Sequence, residues 1–272
     1  MPIDTHVHTK GGEDGNKILK AMDALGLERI VLMSQPPSWS LATGRDEEVG
    51  HRAVIEDIAR IITPDPERML GFAWIEPTLP DAVNAVDYAL GEKGLRGVKM
   101  LPNHWYPDDP RAQACYARIN DYAAPMLFHT GGLWKWGNTS KYCRPAEFEI
   151  MMDYPQIRFV MAHMSNPWQD ECLFVCHKLK FLQRDRELEW TSYIDIGVSG
   201  YRDFGRDYLR KALYFLGGGR LMACSDCDSP EDPKAYHYDR AREEEILREA
   251  GASDETVAGI LGENAKAWLG IT

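Results

Sequence analysis

Residues 3–8 read IDTHVH, a short stretch that carries two histidines two positions apart. Its alternation of branched and polar residues favours a β-strand. Alternate side chains of a strand share a face, so Asp4, His6 and His8 are expected to point the same way and residues 3, 5 and 7 the other way. The stretch therefore predicts a strand that presents two imidazoles on one side and packs against helices on the other.

Seven further runs of similar character follow, separated by segments with helical periodicity. In residues 46–63, for example, apolar side chains recur every three to four positions opposite charged ones. The eight predicted strands cover 3–8, 29–34, 69–76, 95–101, 125–130, 158–164, 193–198 and 220–225.

The spacing of these runs predicts the fold. Their starts lie about 26 to 40 residues apart, which is the length of one strand and helix unit. Eight units without a long linker predict an α/β protein, a single-domain (β/α)8 TIM barrel over residues 1–272. An open doubly wound sheet is the alternative, but no GxGxxG or Walker pattern follows any predicted strand.

Composition narrows the function classes. The chain has 31 basic and 42 acidic residues, a net charge of −11, and no basic stripe, which argues against a nucleic-acid partner. No signal-peptide pattern or run of about 20 apolar residues is present, so we expect a soluble cytoplasmic protein without membrane contact. The six cysteines are too sparse for a disulfide scaffold and are expected to be reduced.

Ionisable residues recur at the carboxyl ends of the predicted strands, which is where barrel enzymes carry their active sites. The set consists of His6, His8, Lys99, His129, His163 and Asp226. Neutral imidazole and carboxylate are ligands for zinc, iron or manganese. A lone histidine is more often a hydrogen-bonded core residue, and His51, His177 and His237 are assigned to that class. The combined pattern predicts a metal site at the mouth of the barrel.

Several longer motifs resemble the amidohydrolase superfamily, and in particular its amidohydrolase family 2, which includes enzymes similar to aminocarboxymuconate-semialdehyde decarboxylase. These motifs are DTHVH (4–8), FHTGG (128–132), YPQIRFVMAHMS (154–165), RLMACSDCDS (220–229) and GENAKAWLGI (262–271). The resemblance spans nearly the whole chain. It implies a metal-dependent barrel enzyme.

The resemblance also implies a ligand set and a mechanism. His6, His8, His129 and Asp226 would hold one divalent ion, with zinc as the first expectation and manganese or iron as alternatives. Such an ion lowers the pKa of water from about 15.7 toward about 7. Asp226 would act as general acid and base, and His163 would polarise a carbonyl or orient the nucleophile.

More than one role is open for Lys99 and for the loop after the fifth strand. A carboxylated Lys99 would bridge two ions, with His129 and His163 as ligands of the second ion. A single ion is commoner in family 2. An unmodified Lys99 could instead anchor a substrate carboxylate or pair with a nearby acidic side chain. In the loop GGLWKWGNTSKYCRP (131–145), the aromatic and cationic side chains suit a flat acidic substrate, but they could equally pack the rim or a subunit contact. The remaining candidates for substrate binding are Trp134, Trp136, Arg144 and Asn166.

Three functions follow in order of preference. The first is hydrolysis of a C–O or C–N bond in a small lactone, ester or amide that bears a carboxylate. The second is non-oxidative decarboxylation of an aromatic or muconate-like acid, which the ligands alone do not distinguish from the first. The third is a non-catalytic metal-binding protein, which is disfavoured because structural zinc sites are usually closed clusters close in sequence. The substrate and a homo-oligomeric state are left open.

Overall fold

The eight predicted strands are all present in the computed structural model, which describes residues 2–133, 137–197, 206–236 and 239–272. They are β1 (Ile3–His8), β2 (Arg29–Met33), β3 (Met69–Trp74), β4 (Gly97–Met100), β5 (Met126–Phe128), β6 (Phe159–Met161), β7 (Ser192–Asp195) and β8 (Leu221–Met222). Each strand pairs in parallel with the next one along the chain.

The first and last strands meet, which closes the sheet. The amide of His8 donates a hydrogen bond of 2.7 Å to the carbonyl of Cys227, and Thr5 Oγ1 donates one of 3.1 Å to the carbonyl of Ala223. A parallel bridge between Val7 and Cys227 lies at this seam. The single-domain (β/α)8 TIM barrel is confirmed, and the open sheet is wrong.

Helices fill the connections between the strands. The α-helices are α1 (Gly15–Leu25), α2 (Trp39–Thr43), α3 (His51–Ile62), α4 (Ala82–Val86), α5 (Pro110–Asp121), α6 (Gln169–Asp185), α7 (Arg206–Leu216), α8 (Arg240–Glu249), α9 (Asp254–Ala258) and α10 (Asn264–Leu269). π-Helical turns follow α4 (Asp87–Glu92) and α9 (Gly259–Glu263), and 3-10 turns cover Ser140–Cys143, Pro145–Asp153, Ala162–Ser165 and Pro233–Tyr236.

Local sequence accounts for several helix boundaries. The side chain of Asp14 accepts a hydrogen bond from the amide of Asn16 at the start of α1, and Gly26 ends that helix at a φ of +65°. The helical pattern predicted from residue 46 begins only at His51, directly after Gly50.

Two large apolar clusters stabilise the barrel. The larger one lies between the strands and the helices, and the smaller one fills the barrel interior with side chains such as Phe72, Leu127 and Met222. Trp268 of α10 belongs to the inner cluster. Arg158 directly precedes β6, and its Nε donates a hydrogen bond of 2.7 Å to the carbonyl of Trp268. Helix α10 therefore covers the end of the barrel where the strands begin.

One detail of the first strand differs from the prediction. The pairing of β1 with β2 shifts by one residue between Asp4 and Val7. As a result Ile3 packs in the inner cluster, and Asp4 does not join His6 and His8. Asp4 Oδ1 instead accepts hydrogen bonds from the amides of His6 and Ser225. Strict alternation fails here because a β-bulge changes the face of every residue before it.

Helices long and apolar enough to cross a bilayer are absent from the described ranges. The cysteines all lie within these ranges as buried free thiols.

Candidate metal centre

Two histidines of β1 and the aspartate after β8 meet at the mouth of the barrel. His6 Nε2 lies 3.0 Å from His8 Nε2, and Asp226 Oδ1 lies 3.2 Å from His8 Nε2 and 3.5 Å from His6 Nε2. The left-handed backbone of Asp226, with a φ of +53°, turns its side chain toward the histidines just after the strand ends. Residues more than 200 positions apart in the sequence thus share one site.

His163 and His129 extend this cluster across the barrel. The ring of His163 stacks on that of His6 at a centroid distance of 5.1 Å, and His163 Nε2 lies 3.9 Å from Asp226 Oδ2. The ring of His129 lies 5.3 Å from that of His163. His163 is thus close to both His6 and His129, and four histidines from three strand ends border one space.

His6 is fully buried and the other residues of the cluster are half-buried, which affects the protonation of their side chains. Burial, followed by the charge of Lys99, lowers the pKa of His6 to about 3. Burial also lowers the pKa of His129 well below its usual value. Burial alone would raise the pKa of Asp226, but His163, His6 and His8 outweigh it and hold the pKa well below the usual value. The lowered pKa values favour neutral imidazoles at His6 and His129 and an ionised carboxylate at Asp226.

This donor set fits a divalent cation. Ligands of one ion at bonds of about 2.0 to 2.1 Å lie roughly 3 to 3.5 Å apart, which matches the separations among His6, His8 and Asp226. One ring nitrogen of His6, one of His163 and one carboxylate oxygen of Asp226 also lie within 4.8 Å of one another. His129 Nε2 is buried without a hydrogen-bond partner among the described residues. A buried polar atom of this kind normally has a partner.

The sequence comparison agrees with the motifs. A family model described as Amidohydrolase matches residues 3–271. The chain belongs to the amidohydrolase family. The family is metal-dependent. A search of curated proteins finds no match to this amidohydrolase.

Solved structures share the barrel of this amidohydrolase. The 5-carboxyvanillate decarboxylase of Sphingomonas paucimobilis gives a TM-score of 0.70 at 16% identity, over 100% of this chain and 99% of that one. The Novosphingobium aromaticivorans 5-carboxyvanillate decarboxylase, complexed with manganese and 4-hydroxy-3-methoxy-5-nitrobenzoic acid, gives 0.68 at 13% identity over 100% and 96%. A probable 2-pyrone-4,6-dicarboxylic acid hydrolase from Acinetobacter baumannii gives 0.63 at 15% identity over 99% of both chains. At these identities the likeness shows the fold.

Lys99 of this amidohydrolase points into the same cluster. It lies on β4, is 2% exposed, and its Nζ is 3.0 Å from His6 Nε2. Burial lowers the pKa of its ammonium to about 8, although the carboxylates of Asp226 and Asp195 raise it. Lys99 is thus a buried cation placed next to the candidate ligands.

The other predicted binding residues are less directly connected to the cluster. The guanidinium of Arg144 pairs with Glu171 and lies 4.6 Å from the ring centroid of Trp168. Asn166 Oδ1 accepts a hydrogen bond of 2.7 Å from Gln169 Nε2. Both side chains therefore have partners in the protein.

The structure describes two of the three histidines that were predicted to be core residues, and neither of the two predicted substrate-binding tryptophans. His51 is a buried, hydrogen-bonded core residue, as expected, with its Nδ1 2.8 Å from Asp81 Oδ1. His177 packs its ring edge-on against Phe181 at 4.8 Å. Trp134, Trp136 and His237 lie outside the described residues.

Asp195 was missed by the sequence reasoning, although it adjoins the site. It ends β7, is fully buried, and its Oδ2 lies 3.1 Å from His6 Nδ1. The sequence does contain a signal for Asp195, because it is the acidic residue in the otherwise apolar run YIDIGV (193–198). The rule that selected the other strand-end residues also applies to Asp195.

The buried ammonium of Lys99 gives a testable stability effect. Its pKa is about 8 in the folded chain, whereas the ordinary value for lysine is 10.5, so below pH 8 its burial costs about 3 kcal/mol at 1.36 kcal/mol per pKa unit. The contribution of Lys99 to the free energy of unfolding rises with pH between about 8 and 10.5. In this range the unfolded chain binds more protons at Lys99 than the folded chain does. We expect Lys99→Met to stabilise the metal-free protein at pH 7 by up to about 3 kcal/mol, with a smaller gain at pH 10.

Urea denaturation at the two pH values measures this effect. The exposed Lys20→Met is the matched control and should change stability by less than about 0.5 kcal/mol. A Lys99→Met protein that is less stable than the wild type at pH 7 would contradict the prediction.

Proposed function

We propose that this amidohydrolase is a metal-dependent enzyme that hydrolyses a C–O or C–N bond in a small lactone, ester or amide bearing a carboxylate. The observation that carries the proposal is the position of Asp226. Its carboxylate lies within 3.2 to 3.9 Å of nitrogens of His8, His6 and His163. A carboxylate at the edge of a ligand cluster is placed both to bind a cation and to accept a proton.

His6, His8, His129 and Asp226 are the proposed ligands of one divalent ion, which is zinc, manganese or iron. When bound, the ion would supply Lewis acidity and lower the pKa of water. The manganese in the Novosphingobium structure supports a divalent ion without fixing its identity here.

The proton steps are assigned to this chain's own side chains. Asp226, which is ionised at rest, accepts the proton of the attacking water at a carboxylate oxygen and returns it to the leaving oxygen or nitrogen. His163 Nε2, 3.9 Å from Asp226 Oδ2, faces the same space and is assigned to polarise the substrate carbonyl. Burial of His6 and Lys99 limits the access of bulk water to the reacting atoms.

Lys99 is the proposed contact for the substrate carboxylate. Its ammonium is buried and lies 3.0 Å from His6 Nε2. An anion replaces the water that a buried ammonium has lost, so binding there is favourable. The similar structures support an acidic substrate, because their names specify carboxyvanillate and pyrone dicarboxylic acid.

Non-oxidative decarboxylation is a second candidate, and the comparisons favour it. Carboxyvanillate and dihydroxybenzoate decarboxylases are among the structures that share this fold. In this reaction the bond to the carboxyl carbon breaks, carbon dioxide leaves, and Asp226 delivers a proton to the ring carbon. Asp226 would first have to gain that proton, and its lowered pKa disfavours the protonated state. Hydrolysis uses the ionised form directly, which is why we rank it first.

An isotope experiment separates the two reactions. The protein, loaded with Zn²⁺ or Mn²⁺, is incubated in H₂¹⁸O with pyrone and lactone carboxylates and with hydroxylated benzoic acids. We expect ¹⁸O in the product and no carbon dioxide. Carbon dioxide release with no ¹⁸O in the organic product would establish the decarboxylase. Full turnover after complete removal of metal would refute both forms of the proposal.

A further inference from the structure

Asp195 contacts two of the candidate site residues with its two oxygens. Oδ2 lies 3.1 Å from Nδ1 of His6, and Oδ1 accepts a hydrogen bond of 2.6 Å from the backbone amide of His163. The carboxylate is fully buried at the end of β7. A single side chain thus joins residues from the first and sixth strands of the barrel.

The contact with His6 determines which ring nitrogen carries the proton. An ionised carboxylate can only accept hydrogen bonds, so Nδ1 of neutral His6 must hold the hydrogen and Nε2 must hold the lone pair. Nε2 is the atom that faces His8, Lys99 and the mouth.

The contact with His163 supports an unfavourable stretch of backbone. His163, Met164 and Ser165 have φ values of +58°, +45° and +53°, although none is glycine. Each such residue costs about 1 kcal/mol or more. The amide of His163 is fixed by Asp195, and the hydroxyl of Ser165 donates a hydrogen bond of 2.8 Å to Thr130 Oγ1. This turn is what carries the imidazole of His163 to its position over His6.

We propose that Asp195 is the positioning residue of this site, which holds His6 in the Nδ1–H tautomer and anchors the turn that carries His163. The inference rests on the proposed function, because it assumes that His6 presents Nε2 to a cation. Removal of such an outer partner typically weakens metal binding 10- to 100-fold.

Asp195→Asn is the sharpest variant, because it keeps the size of the side chain. Its amide has one oxygen, so it can accept a hydrogen bond from His6 or from the amide of His163, but its NH₂ group must face the other donor. We expect the dissociation constant for Mn²⁺, measured by electron paramagnetic resonance of the free ion, to rise 10- to 100-fold.

The matched control is Glu76→Gln, which also removes a buried carboxylate just after a barrel strand. Within the described ranges, the carboxylate of Glu76 has Thr78 and His104 as its partners rather than His6 or His163. The Mn²⁺ affinity of this variant should equal that of the wild type. Unchanged affinity in folded Asp195→Asn, even with a lowered melting temperature, would show a merely structural role and overturn the inference.

A second measurement uses the wild type and does not depend on a variant folding. Long-range ¹H–¹⁵N spectra of the histidine-labelled, metal-free protein report the tautomer of each imidazole. We expect His6 to be protonated at Nδ1, and protonation at Nε2 would overturn the inference. If the wild type binds no Mn²⁺, the proposed function fails, and the tautomer of His6 alone decides the role of Asp195.

Discussion

Asp226→Asn is expected to lower kcat by 10²- to 10⁴-fold on the substrate found in the isotope experiment, while the fold is retained. The amide cannot accept the proton of water, and general acid and base groups contribute acceleration of this size. Asparagine has nearly the same shape as aspartate, so the substitution removes the negative charge of residue 226 but keeps its position next to His6 and His8. Steady-state kinetics of the metal-loaded variant measure the effect.

The control for this variant lies two residues away. Asp228 pairs with Lys10 on the surface, where its side chain is 70% exposed. Asp228→Asn should keep kcat within about twofold, because it changes the same charge outside the cluster. Turnover by Asp226→Asn above a tenth of the wild-type rate would remove Asp226 from the proton steps.

Trp268→Ala is expected to lower the free energy of unfolding by about 3 to 5 kcal/mol, the range for large aromatic deletions in a core. Trp268 is fully buried in the inner cluster, and its ring lies 5.3 Å from that of Phe72. Its Nε1 also donates a hydrogen bond of 3.0 Å to the carbonyl of Arg158. The variant would leave a cavity at the end of the barrel where the strands begin, and the carbonyl of Arg158 would keep only its hydrogen bond from the amide of Met126.

Chemical denaturation of the metal-free protein tests this expectation. Tyr214→Ala removes another large aromatic ring, but one that is 85% exposed, and should change stability by less than about 0.5 kcal/mol. A loss below about 1 kcal/mol in Trp268→Ala would mean that α10 does not close the barrel as described.

The sequence predicted those features that depend on local patterns. Strand spacing predicted the barrel, and the strand-end rule selected the residues that meet at its mouth, from His6 to Asp226. The rule works because parallel strands bring their carboxyl ends to one edge, whatever their separation along the chain. It requires no knowledge of side-chain partners.

The features that were missed depend on partners distant in sequence. The bulge in β1 reverses the expected face of Ile3 and Asp4, and alternation alone cannot locate a bulge. Substrate binding by Arg144 stays a prediction, but its ion pair with Glu171, 27 residues further along the chain, was not foreseen. The reaction type was also not predictable, because hydrolysis and decarboxylation can use the same donors.

The seam between β1 and β8 has a consequence for synthesis of the chain. His6 and His8 leave the ribosome well before Asp226 and its neighbour Cys227, which bonds to His8, because more than 200 residues separate the two groups. A nascent chain cannot assemble the full donor set before β8 and Asp226 are translated. Capture of a cation by all of these residues would therefore follow synthesis of the eighth strand and would mark a closed barrel.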